Sequence, residues 1–116
     1  MKIIDLATVP KLKMGMEGAE KTHKQLVIGA DDGSPNFSVR VFTIEPNGHT
    51  PFHSHPSEHL NYVIDGHGVL VREDGEEQEI GRGNFALVLP DEKHQYRNSS
   101  QQEPLVMICA VPKQYE

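Results

Sequence analysis

Seven histidines stand among 116 residues, and three of them fall close together in His53-Ser54-His55-Pro56-Ser57-Glu58-His59. In an extended chain, residues two and four apart share a face, so this H-x-H-x3-H spacing brings three imidazoles together provided that Pro56 only bends the backbone. His94 opens a later strand and supplies a fourth ring. Neutral imidazole is the commonest metal ligand and suits Zn, Cu, Fe, Ni or Mn. The alternative for the trio is a set of solvated side chains on an exposed loop between Pro51 and Pro56. Glu58 is one residue out of register; strand parity points it away from His53 and His55, which favours His59 as the ligand. A bulge after Pro56 would reverse that choice.

The same parity assigns further side chains. With His59 facing inward, Asn61 and Val63 share its face while Leu60, Tyr62 and Ile64 point the other way. Asn61 is thus a pocket candidate, against an outward or turn-stabilising amide. His94, Tyr96 and Asn98 share a face, which lets the Tyr96 hydroxyl reach a substrate or a metal-held water; a core tyrosine with one hydrogen bond is the equal alternative. Arg40 lies on one face with Ser38 and Phe42, where it can grip a substrate carboxylate bidentately, although the default for arginine is to face solvent. Cys109 sits in an apolar run, so a buried structural thiol is the default and a thiol beside the metal the sharper reading. His23, His49 and His67 lack strand-mates at the right spacing and are expected at the surface, His49 at the mouth of the site. Glu73-Asp74-Gly75-Glu76-Glu77 reads as a solvated hairpin loop. Gly81-Arg82-Gly83 is too short for a nucleotide fingerprint.

The elements that must position these groups are strands. Apolar residues come in short alternating runs bounded by turn formers, with no long stretch of helical spacing. Strands are expected at Lys24–Ile28, Asn36–Ile44, His59–Asp65, His67–Glu73, Gln78–Ile80, Phe85–Leu89, His94–Asn98 and Pro104–Val111. Turns are expected at 29–35, at Glu45-Pro46-Asn47-Gly48 and at Asp74-Gly75. Asp65-Gly66 is read as the pivot of a hairpin joining His59–Asp65 to His67–Glu73. Residues 1–23 are weakly patterned and read as an arm or edge strand, flexible near Gly15 and Gly18. Many short strands with Gly, Pro and Asn turns predict an all-β jelly roll or barrel, with 1–116 forming one domain. Edge strands need cover, and a homodimer paired through the N-terminal segment is one solution.

Composition narrows the function. A formal charge of −6 with no cluster of Lys or Arg argues against nucleic acid or an anionic membrane as partner. No apolar run approaches the roughly 20 residues needed to span a bilayer, and Met1–Asp5 does not read as a signal peptide. The single cysteine, Cys109, agrees with a reducing compartment, so a cytoplasmic protein is expected.

The frame around the histidines resembles the cupin superfamily, whose motifs are G(x)5HxH(x)3-4E(x)6G and G(x)5PxG(x)2H(x)3N. Gly48, His53, His55, His59 and Gly66 follow the first; Gly83, His94 and Asn98 follow the second. One residue is missing between Gly48 and His53, Leu89 and Asp91 stand at the usual proline and glycine, and His59 stands at the family's glutamate. The resemblance spans 25–111 and implies a double-stranded β-helix. With four histidines the chain is similar to the small four-histidine cupins, several of which bind manganese; the NFSVRVFTIEP stretch and the late Cys109 are shared features. It implies one divalent ion per chain, Mn or Fe favoured, with Zn or Ni as alternatives, open to a small-molecule substrate. Four neutral ligands would leave the full +2 charge on the ion, suiting a chelating oxygen ligand such as a dicarbonyl, hydroxy acid or enolate. The leading expectation is a Mn- or Fe-dependent, dioxygenase-like oxidoreductase. The alternatives are a Lewis-acid isomerase or ketonising enzyme on a sugar acid, and a non-catalytic ligand-binding protein.

Overall fold

The structure, a computed structural model, describes all residues 1–116. Nine strands form: β1 (Leu12–Lys13), β2 (Glu20–Ile28), β3 (Phe37–His49), β4 (His59–Asp65), β5 (His67–Arg72), β6 (Glu77–Gly81), β7 (Phe85–Val88), β8 (His94–Arg97) and β9 (Leu105–Pro112). Short 3₁₀ turns cover Leu6–Thr8, Ala30–Asp32 and Lys113–Tyr115. No helix is long and apolar enough to cross a membrane.

All pairings are antiparallel, in the order β6-β5-β8-β3-β9-β4-β7, with β2 also on β3 and β1 on β2. β3 belongs to two leaves: its first half pairs with β9 and β2, while His49 pairs with Arg97 of β8. The sheet therefore curls onto itself as the jelly roll of a double-stranded β-helix. β9 shows why the sequence folds this way. Leu105, Met107, Cys109 and Val111 are at most 1% exposed, and the residues between them are half-buried, the period-2 signature of a strand with one face in the core. Leu105, Met107 and Val111 each contribute about 1.5–3 kcal/mol by leaving water. The core, Ile44, Val63, Ile80, Tyr96, Leu105 and Met107, fills the space between the leaves.

Three local expectations are corrected. Asp65-Gly66 is not a hairpin pivot: β4 pairs with β7 and β9, and β5 with β6 and β8. The chain instead crosses from one leaf to the other at Gly66, which has φ +81° and where a Cβ would lie 2.1 Å from the Pro104 carbonyl oxygen. Close backbone approach, together with the left-handed φ, is what requires glycine; the neighbouring hairpin is β5–β6, around Asp74-Gly75. Glu45–Gly48 does not end a strand. It bends β3 from one leaf to the next, with Asn47 at φ +65° and a Cβ at Gly48 only 2.8 Å from the Glu20 carbonyl oxygen. β2 starts earlier than Lys24, at Glu20, because Thr22 donates to the His49 carbonyl at 3.0 Å and anchors that end. The N-terminal arm pairs within its own chain, where Gln25 Nε2 donates to the carbonyls of Leu6 and Val9 at 3.1 and 3.0 Å.

Candidate metal centre and its cavity

The two histidine segments are joined through their backbones. His53 N donates to His94 O at 3.1 Å and His94 N to His53 O at 3.0 Å, a single antiparallel bridge between a loop and the start of β8. Asp91 N adds a bond to His55 O at 2.8 Å. His59 opens β4 opposite Val88. So His53 and His55 reach the site from a pinned loop, and not from a strand face as the spacing suggested.

One ring-nitrogen position from each of His53, His55 and His94 lies within 4.8 Å of the others, a group able to hold a metal ion. His55 Nδ1 faces the Ser57 carbonyl at 2.9 Å and His94 Nδ1 faces the Glu92 carbonyl at 2.8 Å. A carbonyl only accepts, so each hydrogen sits on Nδ1 and each Nε2 keeps its lone pair, the arrangement that orients imidazole for a metal. His55 Nε2 is buried with no hydrogen-bond partner, and a cation is the partner its lone pair lacks. His59 stacks on His55, with ring centroids 3.6 Å apart and planes 11° from parallel. Its Nδ1 lies 3.5 Å from Arg40 Nη2 and 3.6 Å from Cys109 Sγ. His59 is therefore beside the three-histidine group and outside its tightest set. Glu58 is exposed and precedes β4.

Burial favours the neutral form of His53, His59 and His94. Burial, then the neighbouring His55, holds His53 below its ordinary pKa. Burial does the same to His94, opposed in part by its bond to Glu92. His59 is pushed down to about 3, first by burial and then by His55, Arg40 and the other histidines. Neutral rings are the form that binds a metal.

The rings line a cavity of about 310 Å³. Asn61 and Tyr96 face it, and the Tyr96 hydroxyl donates to Asn61 Oδ1 at 3.0 Å. Burial raises the Tyr96 pKa, so this hydroxyl is a donor and no base. Arg40 does not face solvent: it is 7% exposed and turned into the cavity, since the inner face of β3 lines a hollow there. Cys109 is both buried and a wall of the cavity, accepting from Arg40 Nη2 at 3.0 Å. His67 is exposed, and none of His23, His49 and His67 lines the cavity. Sequence reading passed over Met14, Met16, Phe42, Met107 and Lys24, all in the wall. Met14 and Met16 sit in the arm read as flexible; the only available signal was apolar residues two apart next to a strand.

Over nearly its whole length the chain is similar to the polyketide cyclase RemF from Streptomyces resistomycificus, with a TM-score of 0.91 at 28% identity over 97% of this chain and 79% of that one. A cupin 2 domain-containing protein from Halorhodospira halophila matches with a TM-score of 0.72 at 28% identity, over 78% of this chain and 62% of that one. A cupin-2 domain from Rhodospirillum rubrum matches with a TM-score of 0.81 at 18% identity, over 96% and 74%. The barrel, the paired histidine segments and the match of residues 40–111, more than half of the chain, to the Cupin_2 family of cupin domains establish that the chain belongs to that family.

Proposed function

We propose that this chain is a metal-dependent enzyme that performs Lewis-acid chemistry, without net oxidation, on a small oxygen-chelating substrate of the 1,3-dicarbonyl or enolate class. The observation that carries it is a set of clustered imidazoles, two fixed through Nδ1 to backbone carbonyls, in a wall that also contains easily oxidised sulfur. His53, His55 and His94, with His59 as the fourth, would hold one divalent ion; imidazole suits Mn, Fe, Zn or Ni. When bound, the ion supplies Lewis acidity that polarises a carbonyl and favours its enolate. Cys109, Met14, Met16 and Met107 share the cavity and would be the first groups lost to activated dioxygen, which ranks non-redox chemistry above the oxygen-dependent reaction expected from sequence. The similarity to a polyketide cyclase points the same way, since a polyketide chain is a series of 1,3-dicarbonyl units.

The chain's own side chains do the positioning. The Tyr96 hydroxyl fixes the Asn61 carboxamide, whose Nδ2 has only the Met107 sulfur at 3.9 Å and is free to donate to a substrate oxygen. Met14, Met16, Phe42 and Met107 give the cavity beside that pair an apolar wall. Leu60, Phe85 and Leu87, exposed on the outer face of β4 and β7, suit a homodimer, which light scattering would check. The function is tested by following α-proton exchange and cyclisation of 1,3-dicarbonyl compounds by NMR under nitrogen, with the metal-loaded protein. Exchange without oxygen is expected. Turnover only with stoichiometric oxygen uptake would restore the dioxygenase reading, and binding without exchange would leave a ligand-binding protein.

A further inference from the structure

Arg40 is the one buried cation in the cavity wall that lacks an acidic partner. The ion pairs of the chain are Lys2–Asp32, Arg82–Asp65 and Arg97–Glu77, all outside the cavity wall. The Arg40 guanidinium has the Cys109 sulfur at 3.0 Å, the His59 ring at 3.5 Å and the Phe42 ring, 4.9 Å from Cζ to centroid. None of these is a carboxylate. Its Nε is buried with no partner at all, although the residue is only 7% exposed. A buried guanidinium without an anion is costly, and a bidentate carboxylate is the group its fork fits best. Lys24, also in the wall, adds positive charge; burial and the nearby Arg40 hold its pKa below the ordinary value. Its ammonium is already bonded to the Glu116 main-chain oxygen at 2.7 Å. Glu116 also lines the cavity, but its carboxylate Oε2 accepts from the Ser38 hydroxyl and from Ala30 N at 3.0 Å, and it forms no ion pair with Arg40.

We propose that Arg40 is an anion receptor within the substrate cavity, so that the substrate carries a carboxylate seated on the Arg40 guanidinium while its apolar part lies on Phe42 and the methionines. This deepens the proposed function and rests on its reading of the cavity as the substrate site. The receptor belongs to the protein alone, so it is testable without metal. Metal-stripped protein is titrated by calorimetry with 3-phenylpropanoate and with its neutral isostere 3-phenylpropanamide. The wild type should bind the carboxylate about tenfold or more tighter than the amide. Arg40→Met should reduce that preference to within about twofold while still binding the amide, because the apolar wall is kept.

Arg40→Lys keeps the charge and loses the fork, and should retain only part of the preference; it serves as the second variant if Arg40→Met does not fold. As a further readout, 3-phenylpropanoate should raise the Tm of the wild type and not that of Arg40→Met. Equal binding of the two probes by the wild type would overturn the proposal. So would a carboxylate preference that survives in Arg40→Met, one undiminished in Arg40→Lys, or no carboxylate binding below about 1 mM. Failure here leaves the metal content of the wild type unchanged, so it is distinguishable from failure of the metal site.

Discussion

Acidifying the metal-stripped protein from pH 7 to pH 5 should lower its Tm. His53, His59 and His94 all have folded pKa values below the ordinary 6.5. The folded state then binds fewer protons than the unfolded chain, so stability is fully present above about pH 6.5 and is lost as pH falls toward the folded values. At pH 5 the unfolded His59 is protonated while the folded ring, titrating at about 3, is not. At about 1.36 kcal/mol per pH unit, that costs roughly 2 kcal/mol unscreened. The ring borders the open cavity, and solvent screening reduces the figure to about 1 kcal/mol. His53 and His94 add losses of the same sign, so the His59 figure alone sets a fall in Tm of roughly 4 °C and the other two rings deepen it. The shifted carboxylates do not interfere. Asp32 and Glu116 are lowered from 3.8 and 4.5, so their contributions fade only in more acid solution. Calorimetric melts of the wild type and of His59→Gln across this range are the assay, and the variant should show a shallower slope. A wild-type Tm at pH 5 equal to or above that at pH 7 would show that the folded rings do not resist protonation.

Other outcomes follow from single contacts. Tyr96→Phe strands the buried Asn61 Oδ1 and should cost about 1–3 kcal/mol in urea unfolding, while metal content stays unchanged. Gly66→Ala forces a Cβ against the Pro104 carbonyl at a left-handed φ and should cost about 3 kcal/mol or more, read as a lower Tm or loss of soluble protein. Chelation of the metal-loaded protein should lower its Tm, and the gap between loaded and stripped forms should shrink as pH falls, because protons compete for the imidazoles.

Much of this molecule was legible from alternation. The inward positions of Asn61 and Val63 in β4, and of His94 and Tyr96 in β8, follow from period-2 parity, which a strand enforces through its own backbone. Parity failed where non-local contacts decide. His53 and His55 converge because their loop is bridged to the start of β8, a pairing between residues far apart in sequence. Gly66 looked like a hairpin glycine because local turn chemistry is the same whether the next strand pairs with the last or leaves for another leaf. Arg40 was assigned its face correctly, yet a sequence does not say whether the space behind a strand is packed, hollow or open. Here it is hollow, which turns a side chain expected in solvent into a wall of the site. The methionines of the arm were missed for a related reason: an irregular segment has no period to read.

The proposed metal is held by the imidazoles of His53, His55 and His94 with His59 beside them. Elemental mass spectrometry of the natively purified protein, alongside His55→Ala, His94→Ala and His59→Ala variants checked for fold by circular dichroism, tests this site most directly. About one divalent ion per chain is predicted for the wild type, with loss in His55→Ala and His94→Ala and weakened retention in His59→Ala. A folded wild type that stays metal-free after loading, or variants that hold metal as well as the wild type, would contradict it.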